Sequence, residues 1–344
     1  MKALFEYPRP QMVRGPSSWS SLNGLWEFEP CPDWGCGAAP FGRTLNSTIL
    51  VPFPVESCLS GLRNHTNDLD VAPTYSRMHY RTTFARQPGA GAAAASTLLH
   101  FGAVDCKQAT PFASSRLLPK PQPSNAAPAG RADVYVNRLW VGTHEGGYDG
   151  FTLDITEALD ALADGADAHE LLLTVFDPSN RGPQPFGKQR IEAMYAPGGD
   201  TYSPVSGVWQ PVWLESVPSR HIRSLSLRPN TERLELTVLT SVPDAGAVRV
   251  DVLDGATVVA TAEGKANLPF SVRVPQPRLW SPESPFLYNL SVSYPDDGGA
   301  GDSVTSYFGM RQITLCSVGG VMHPCLNGEW RFLAGVLDQS WWPD

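Results

Sequence analysis

The sequence predicts an all-β fold, and three features carry that prediction. Short runs rich in Val, Leu, Thr and aromatic residues alternate with Pro, Gly and Asp punctuation. These runs recur at a spacing of roughly 8 to 12 residues, the rhythm of β-sandwiches rather than of strands alternating with helices. Helical periodicity is confined to residues 154–162 (DITEALDAL), where Asp154 or Thr156 caps a short turn before the Asp164-Gly165 break.

In chain order, the first series places strands at residues 25–28, 79–84, 97–101, 134–136, 171–176 and 208–214. A boundary falls near Val217-Pro218-Ser219, where that series closes. The second series starts at Ile222, with strands at residues 234–239, 248–253, 257–262, 270–274, 287–294 and 303–308. It is about a hundred residues long, one immunoglobulin-sized sandwich. After Leu315 the text changes again, and residues 326–344 are too few for a domain. Two stretches read as loops. Residues 87–96 (QPGAGAAAAS) contain a GxGxxA string without the βαβ context that dinucleotide binding needs. Residues 111–131 carry five prolines and almost no alternation, an exposed excursion.

Composition excludes several classes. The 344 residues hold 42% hydrophobic and 17% charged side chains, enough for a packed core in two or three domains. A net charge of -8 lacks the clustered Lys and Arg that phosphate neutralisation requires, so no nucleic-acid partner is expected. No apolar run approaches the roughly 18 residues that span a bilayer, and residues 1–14 contain prolines where a signal peptide needs an apolar stretch. A soluble chain with no compartment address is expected, and oligomeric state is not legible.

Chemical motifs are equally sparse. HExxH, GxSxG, a Walker loop and a CxxC pair are all missing, and the seven histidines never fall into a ligand spacing. No cofactor and no metal site are expected, and the histidines are assigned to hydrogen-bonding or surface roles, His144 to a solvent-exposed turn. The six cysteines are too few for a disulfide scaffold and are expected as thiols, since Cys31-x4-Cys36 matches no standard spacing. Glycosylation sequons stand at Asn46, Asn64 and Asn289, which matter only in a secretory compartment and otherwise arise by chance.

The richest stretch is 177–213, which packs Phe186, Tyr195, Asp200, Tyr202 and Trp209 with Gln184 and Gln189 between two strands. Carbohydrate sites use flat apolar rings against the C–H faces of sugars and Asp, Asn or Gln for the hydroxyls. A loop of this length is functional or disordered, and its prolines and aromatics favour order. Trp209 and Trp213 are expected as core residues on one strand face. Asp200 and Tyr202, in the loop before that strand, are the candidate ligand-contacting residues.

Several segments resemble glycoside hydrolase family 2, the group of β-galactosidase, β-glucuronidase and β-mannosidase. They are Tyr7-Pro8-Arg9-Pro10, Leu22-Asn23-Gly24-Leu25-Trp26, Val51-Pro52-Phe53-Pro54-Val55-Glu56-Ser57, Tyr80-Arg81-Thr82-Thr83-Phe84, Phe101-Gly102-Ala103-Val104-Asp105, His144-Glu145-Gly146-Gly147-Tyr148 and Ser206-Gly207-Val208-Trp209-Gln210-Pro211-Val212-Trp213. Later come Leu279-Trp280-Ser281-Pro282, Tyr288-Asn289-Leu290, Phe308-Gly309-Met310-Arg311 and Leu326-Asn327-Gly328. The resemblance implies a galactose-binding-like jelly-roll sandwich at 1–218 with an insertion at 111–131, then an immunoglobulin-like β-sandwich at 219–316. It implies at 317–344 only the truncated start of a TIM barrel, with 332–338 as its first strand. In such enzymes two barrel glutamates perform a retaining double displacement. Neither is expected here, because the acid/base glutamate follows an asparagine and this chain has no Asn-Glu dipeptide. At least about 200 residues make a barrel. Relatives also run without interruption through 111–131, where this chain carries what reads as translated non-coding sequence, and place Gly where Arg138 stands after Asn137.

The resemblance thus implies the non-catalytic part of a glycosidase, inactive alone, with a β-glycoside as partner. Asp200 and Tyr202 flank Thr201, the position from which several relatives reach the active site. Two alternatives stand beside it: a free-standing carbohydrate-binding module, and an interaction protein without sugar affinity.

Overall fold

The computed structural model describes residues 6–31, 39–62, 77–86, 94–106, 131–162, 168–180, 187–194, 196, 198–296 and 299–338. Six antiparallel strands form one sheet, in the order Ser47–Val51, Gly24–Cys31, Arg77–Phe84, His169–Phe176, Arg131–Val136 and Leu139–His144. Facing it is a four-stranded sheet of Trp19–Ser21, Val212–Pro218, Ala94–Phe101 and Phe151–Asp154. The alternation of the strands explains the layering. Leu171, Leu173 and Val175 turn inward from His169–Phe176 and meet Trp26, Phe28, Tyr80, Leu99, Phe101 and Leu214 in one core. Phe28 and Tyr80 pack edge to face at 5.0 Å between centroids.

A second core lies between a three-stranded sheet (Ser224–Asn230, Glu235–Ser241, Phe270–Arg273) and a four-stranded one (Thr257–Lys265, Ala247–Asp254, Tyr288–Asp296, Gly299–Phe308). Val248, Val250 and Val252 alternate inward against Leu290, Val292 and Val304. Met12 also belongs to this core, and Val13 forms a β-bridge with Thr305. The amino-terminal segment, expected with the first sandwich, therefore straps across to the second.

Arg14 fastens the two sandwiches. Its guanidinium binds Glu215 on Val212–Pro218 and Asp302 on Gly299–Phe308, with Nη2 2.8 Å from the Asp302 Oδ2, and also donates to the Ile222 carbonyl. Glu215 is fully buried, and Tyr7 Oη, Arg9 Nη2 (3.0 Å) and Trp213 Nε1 (3.2 Å) donate to it as well. Burial alone would raise the Glu215 pKa, but His100, Arg9 and Arg14 together hold it well below the usual carboxylate range. His100 itself is pushed down by burial, and its Nε2 stands 3.6 Å from Glu215, beyond hydrogen-bond reach. The permanent positive charges beside Glu215 are those of the two arginines.

Several sequence expectations are corrected. The run at 208–214 is two strands in different sheets, Gly207–Val208 paired with Val104–Asp105 and Val212–Pro218 with Ala94–Phe101, because Pro211 between them has no N–H to continue a ladder. Ser47–Val51, Leu139–His144, Phe151–Asp154 and Ser224–Asn230 are additional strands. Residues 332–338 form no barrel strand. Instead Ile313–Val318, Val321–Leu326 and Glu329–Trp330 make an antiparallel sheet that runs through the expected boundary at 316/317. A parallel barrel strand needs neighbours on both sides, and none stands beside 332–338 among the described residues. Cys316 and Cys325 are joined by a disulfide across this hairpin and Cys31 is disulfide-bonded too, so three of the expected thiols are not thiols. Most of the 111–131 insertion, residues 87–93 of the Ala-rich loop, Asn64 and Trp341-Trp342 lie outside the described residues, while Arg131 starts a strand.

Candidate functional site

Three loops of the first sandwich meet around the short ribbon of Val104–Asp105 and Gly207–Val208. The loop at 52–62 enters through Glu56, whose carboxylate accepts the Ser206 N–H at 2.9 Å while Val55 N–H donates to the Ser206 carbonyl. The loop at 145–150 closes through the Gly146 N–H on the Cys106 carbonyl at 3.1 Å and through Trp209 Nε1, which donates to the Gly147 carbonyl at 2.8 Å. Two glycines have steric reasons. A Cβ on Gly147 would collide with the Asp105 carboxylate, and one on Gly207 (φ +79°) would collide with the Tyr80 hydroxyl.

The long segment after His169–Phe176 is ordered by its own side chains. Asp177 Oδ1 accepts from Ser179 N–H at 2.7 Å in an Asx turn, and Asn180 bonds both Glu192 and the Ile191 N–H. Gln189 is buried. Its Nε2 donates to the Tyr148 hydroxyl at 2.9 Å and its Oε1 accepts the Val205 N–H at 2.8 Å. Gln189 therefore builds the loop and offers nothing to a ligand.

Tyr202 is held by its backbone. Its N–H donates to the Lys188 carbonyl and its carbonyl accepts from Arg190 N–H, each at 2.9 Å, so two strand-like segments zip together beside Gln189. Asp200 sits one residue before Thr201 on the tip, its side chain 83% exposed and 3.9 Å from Lys188 Nζ. An exposed pair at that distance is weak, which leaves the Asp200 carboxylate free to exchange partners. Tyr148, half exposed, joins the same rim through Gln189, and burial with the Asp105 and Asp177 charges pushes its hydroxyl up to about 12, so it is a neutral donor and acceptor. Phe186, Gln184 and Tyr195 lie outside the described residues.

Beneath the rim, Glu56, Asp105 and Asp177 are all sealed from solvent. Desolvation pushes Glu56 up to about 7, only partly countered by the Ser206 hydrogen bonds. Glycoside hydrolysis by a carboxylate pair needs both groups open to the sugar. These three are buried, so none of them meets a sugar at the surface of the loop cluster. Among the described residues, no group of His, Cys, Asp and Glu is placed to hold a metal ion, and no helix is long and apolar enough to cross a membrane.

Asp200 and Tyr202, the residues expected at a ligand, lie close to Lys188, Gln189 and Tyr148 in the folded loops, whereas no sequence signal marked Tyr148, Lys188 or Glu56 for this cluster, although Tyr148 and Glu56 stand in segments quoted above. Trp213 is buried and stacked on His100 as expected of a core residue, whereas Trp209 is a half-buried latch. His144 is half-buried against Phe151, rings 4.1 Å apart, rather than exposed. The hydrogen-bonding roles of His79, His100, His169 and His221 are as expected.

Residues 223–311 match the family described as Glycosyl hydrolases family 2. That match covers about a quarter of the chain. A putative beta-glucuronidase of Formosa agariphila is 28% identical over 218 residues, which are 60% of this chain and 24% of that protein. A beta-galactosidase of Thermoanaerobacter pseudethanolicus is 24% identical over 225 residues, 62% of this chain and 28% of that one. A solved β-glucuronidase of Ruminococcus gnavus, in complex with D-glucuronic acid, superposes with a TM-score of 0.66 at 18% identity, over 96% of this chain and 51% of that one. The last likeness speaks for the fold. The chain spans about half the length of that solved structure and about a quarter of the two curated proteins.

Proposed function

We propose that this chain is the non-catalytic, substrate-facing portion of a family 2 glycosidase that hydrolyses O-glycosyl bonds of a β-glycoside in the intact enzyme. In this reading residues 1–218 are a jelly-roll, sugar-binding-type domain, 219–316 an immunoglobulin-like sandwich continued past 316 by the disulfide-linked hairpin, and the residues after that hairpin the approach to a TIM barrel. The observation that carries it is the rim. Asp200 and Tyr148 stand exposed, with Tyr202 half-buried beside them, on loops locked by Gln189 and Glu56, while Glu56, Asp105 and Asp177 beneath them are buried. A rigid rim with one mobile carboxylate suits hydrogen bonding to sugar hydroxyls. D-Glucuronic acid bound to the Ruminococcus relative makes a uronic acid the first sugar to try.

The test uses the purified chain. No turnover of an aryl β-glucuronide or β-galactoside is expected, with or without Asp200→Ala. In a version extended by a catalytic barrel, Asp200→Ala or Tyr202→Ala should lower kcat/KM by roughly 10-fold or more, the loss of one polar contact. Turnover by the chain itself, surviving contaminant controls, overturns the non-catalytic reading. Saturable sugar binding by the chain alone would favour the free-standing binding module.

A further inference from the structure

The sequon at Asn289 acquires a setting in the structure. Asn289 lies on Tyr288–Asp296, exposed, directly opposite Tyr307 on one neighbouring strand and Leu253 on the other. Leu253 in turn pairs with Val258, so Val258, Leu253, Asn289 and Tyr307 form one row across all strands of the four-stranded sheet. Paired residues of an antiparallel sheet share a face. This is the solvent face, because the alternate residues Val252, Leu290 and Phe308 are buried in the core. Val258 is 53% and Tyr307 40% exposed, an apolar strip with the asparagine in its middle. Ser291, the sequon hydroxyl, follows two residues on and therefore lies on the same face.

A second observation is independent of this row. The Cys316–Cys325 bridge and the disulfide-bonded Cys31 form and persist in an oxidising compartment, which is also where oligosaccharides are transferred to asparagine. The other described sequon, Asn46-Ser47-Thr48, is exposed as well, at the entry to Ser47–Val51.

We propose that Asn289 is an N-glycosylation site whose first N-acetylglucosamine packs on the Tyr307 ring and covers the strip formed with Leu253 and Val258. The donor is a polyprenyl-diphosphate-linked oligosaccharide. The Asn289 amide nitrogen attacks its anomeric carbon, a C–N bond forms, and the bond from that carbon to the diphosphate oxygen breaks. The amide loses one proton to the transferase and polyprenyl diphosphate leaves. The Tyr307 ring, one strand away, offers its face to the C–H groups of the sugar. The site is separate from the loop rim and stands or falls without it.

The test is to express the full chain behind a secretory leader in a eukaryotic host and map tryptic peptides of the whole lumenal pool, retained and exported alike. Peptide 279–311 contains Asn289 and peptide 44–63 contains Asn46. Expected is an oligosaccharide on 279–311, absent in Asn289→Gln, whose enzymatic release lowers Tm by roughly 2–4 °C and does so by less than half as much in Tyr307→Ser. The proposal is overturned if 279–311 is bare while 44–63 is modified. It is equally overturned if both are bare in a chain whose Cys316–Cys325 bridge has formed, or if release costs the same Tm with and without Tyr307.

Discussion

Glu56 is the residue on which the loop cluster's pH response turns. Its carboxyl keeps a proton up to about 7 in the folded chain against 4.5 in an ordinary setting. Between those values the folded chain holds a proton that the unfolded chain has released, so stability falls as pH rises through the window. The difference is about 3 kcal/mol at most. His79 works in the opposite direction. Burial depresses it to about 4, so its contribution is lost as pH falls from about 6.5 towards that value. Comparing wild type with Glu56→Gln by urea unfolding at pH 5 and pH 8 separates the two. The variant should lose the Glu56 contribution to the slope and keep that of His79, and equal slopes would refute the assignment. At this scale the sequence was half legible. Asp200 and Tyr202 stand out as polar and aromatic residues in a long loop, but burial of Glu56 depends on Ser206, 150 positions away, which no local pattern announces.

Among the elements, Arg131–Val136 and Leu139–His144 are joined by a two-residue turn. Such a turn favours a glycine after Asn137, where this chain has Arg138, yet Asn137 (φ 51°) and Arg138 (φ 68°) both adopt the left-handed conformation of a tight hairpin turn. The turn is closed by pairing on both sides, not by preference at Arg138. Arg138→Gly should therefore stabilise the chain by about 1 kcal/mol, the cost of a side chain at positive φ, read as a raised urea midpoint with unchanged slope. The rest follows the same logic. Val/Leu alternation in 171–176 or 248–253 marks a half-buried strand wherever it stands, and those elements were legible. Phe151–Asp154 has four residues, none fully buried, and is a strand only because Ala94–Phe101 lies beside it. The disulfide hairpin did carry a signal, Gly319-Gly320 between two apolar runs, but Cys316 and Cys325 become neighbours only once that turn is made.

Over the whole molecule, the two cores are joined by one buried guanidinium. Arg14→Met removes the partner of Glu215 and Asp302 together and leaves buried carboxylates under-compensated, which costs about 3–5 kcal/mol. Calorimetry should then resolve two unfolding transitions in place of one, and a single transition at unchanged Tm would count against the role of the junction. Two sandwiches in series were legible because each repeats its own strand rhythm. Their coupling was not, since it depends on a charged residue near the start of the chain finding partners some 200 and 290 positions later. The strap at Met12 and Val13 gives that separation a meaning in time. On the ribosome the first sandwich has all its strands long before Gly299–Phe308 emerges, so the strap must wait, undocked, through the synthesis of nearly three hundred residues. The last event in assembling the second sandwich is thus the return of the chain's own beginning. Trimming a few amino-terminal residues would therefore be felt first in the sandwich made last.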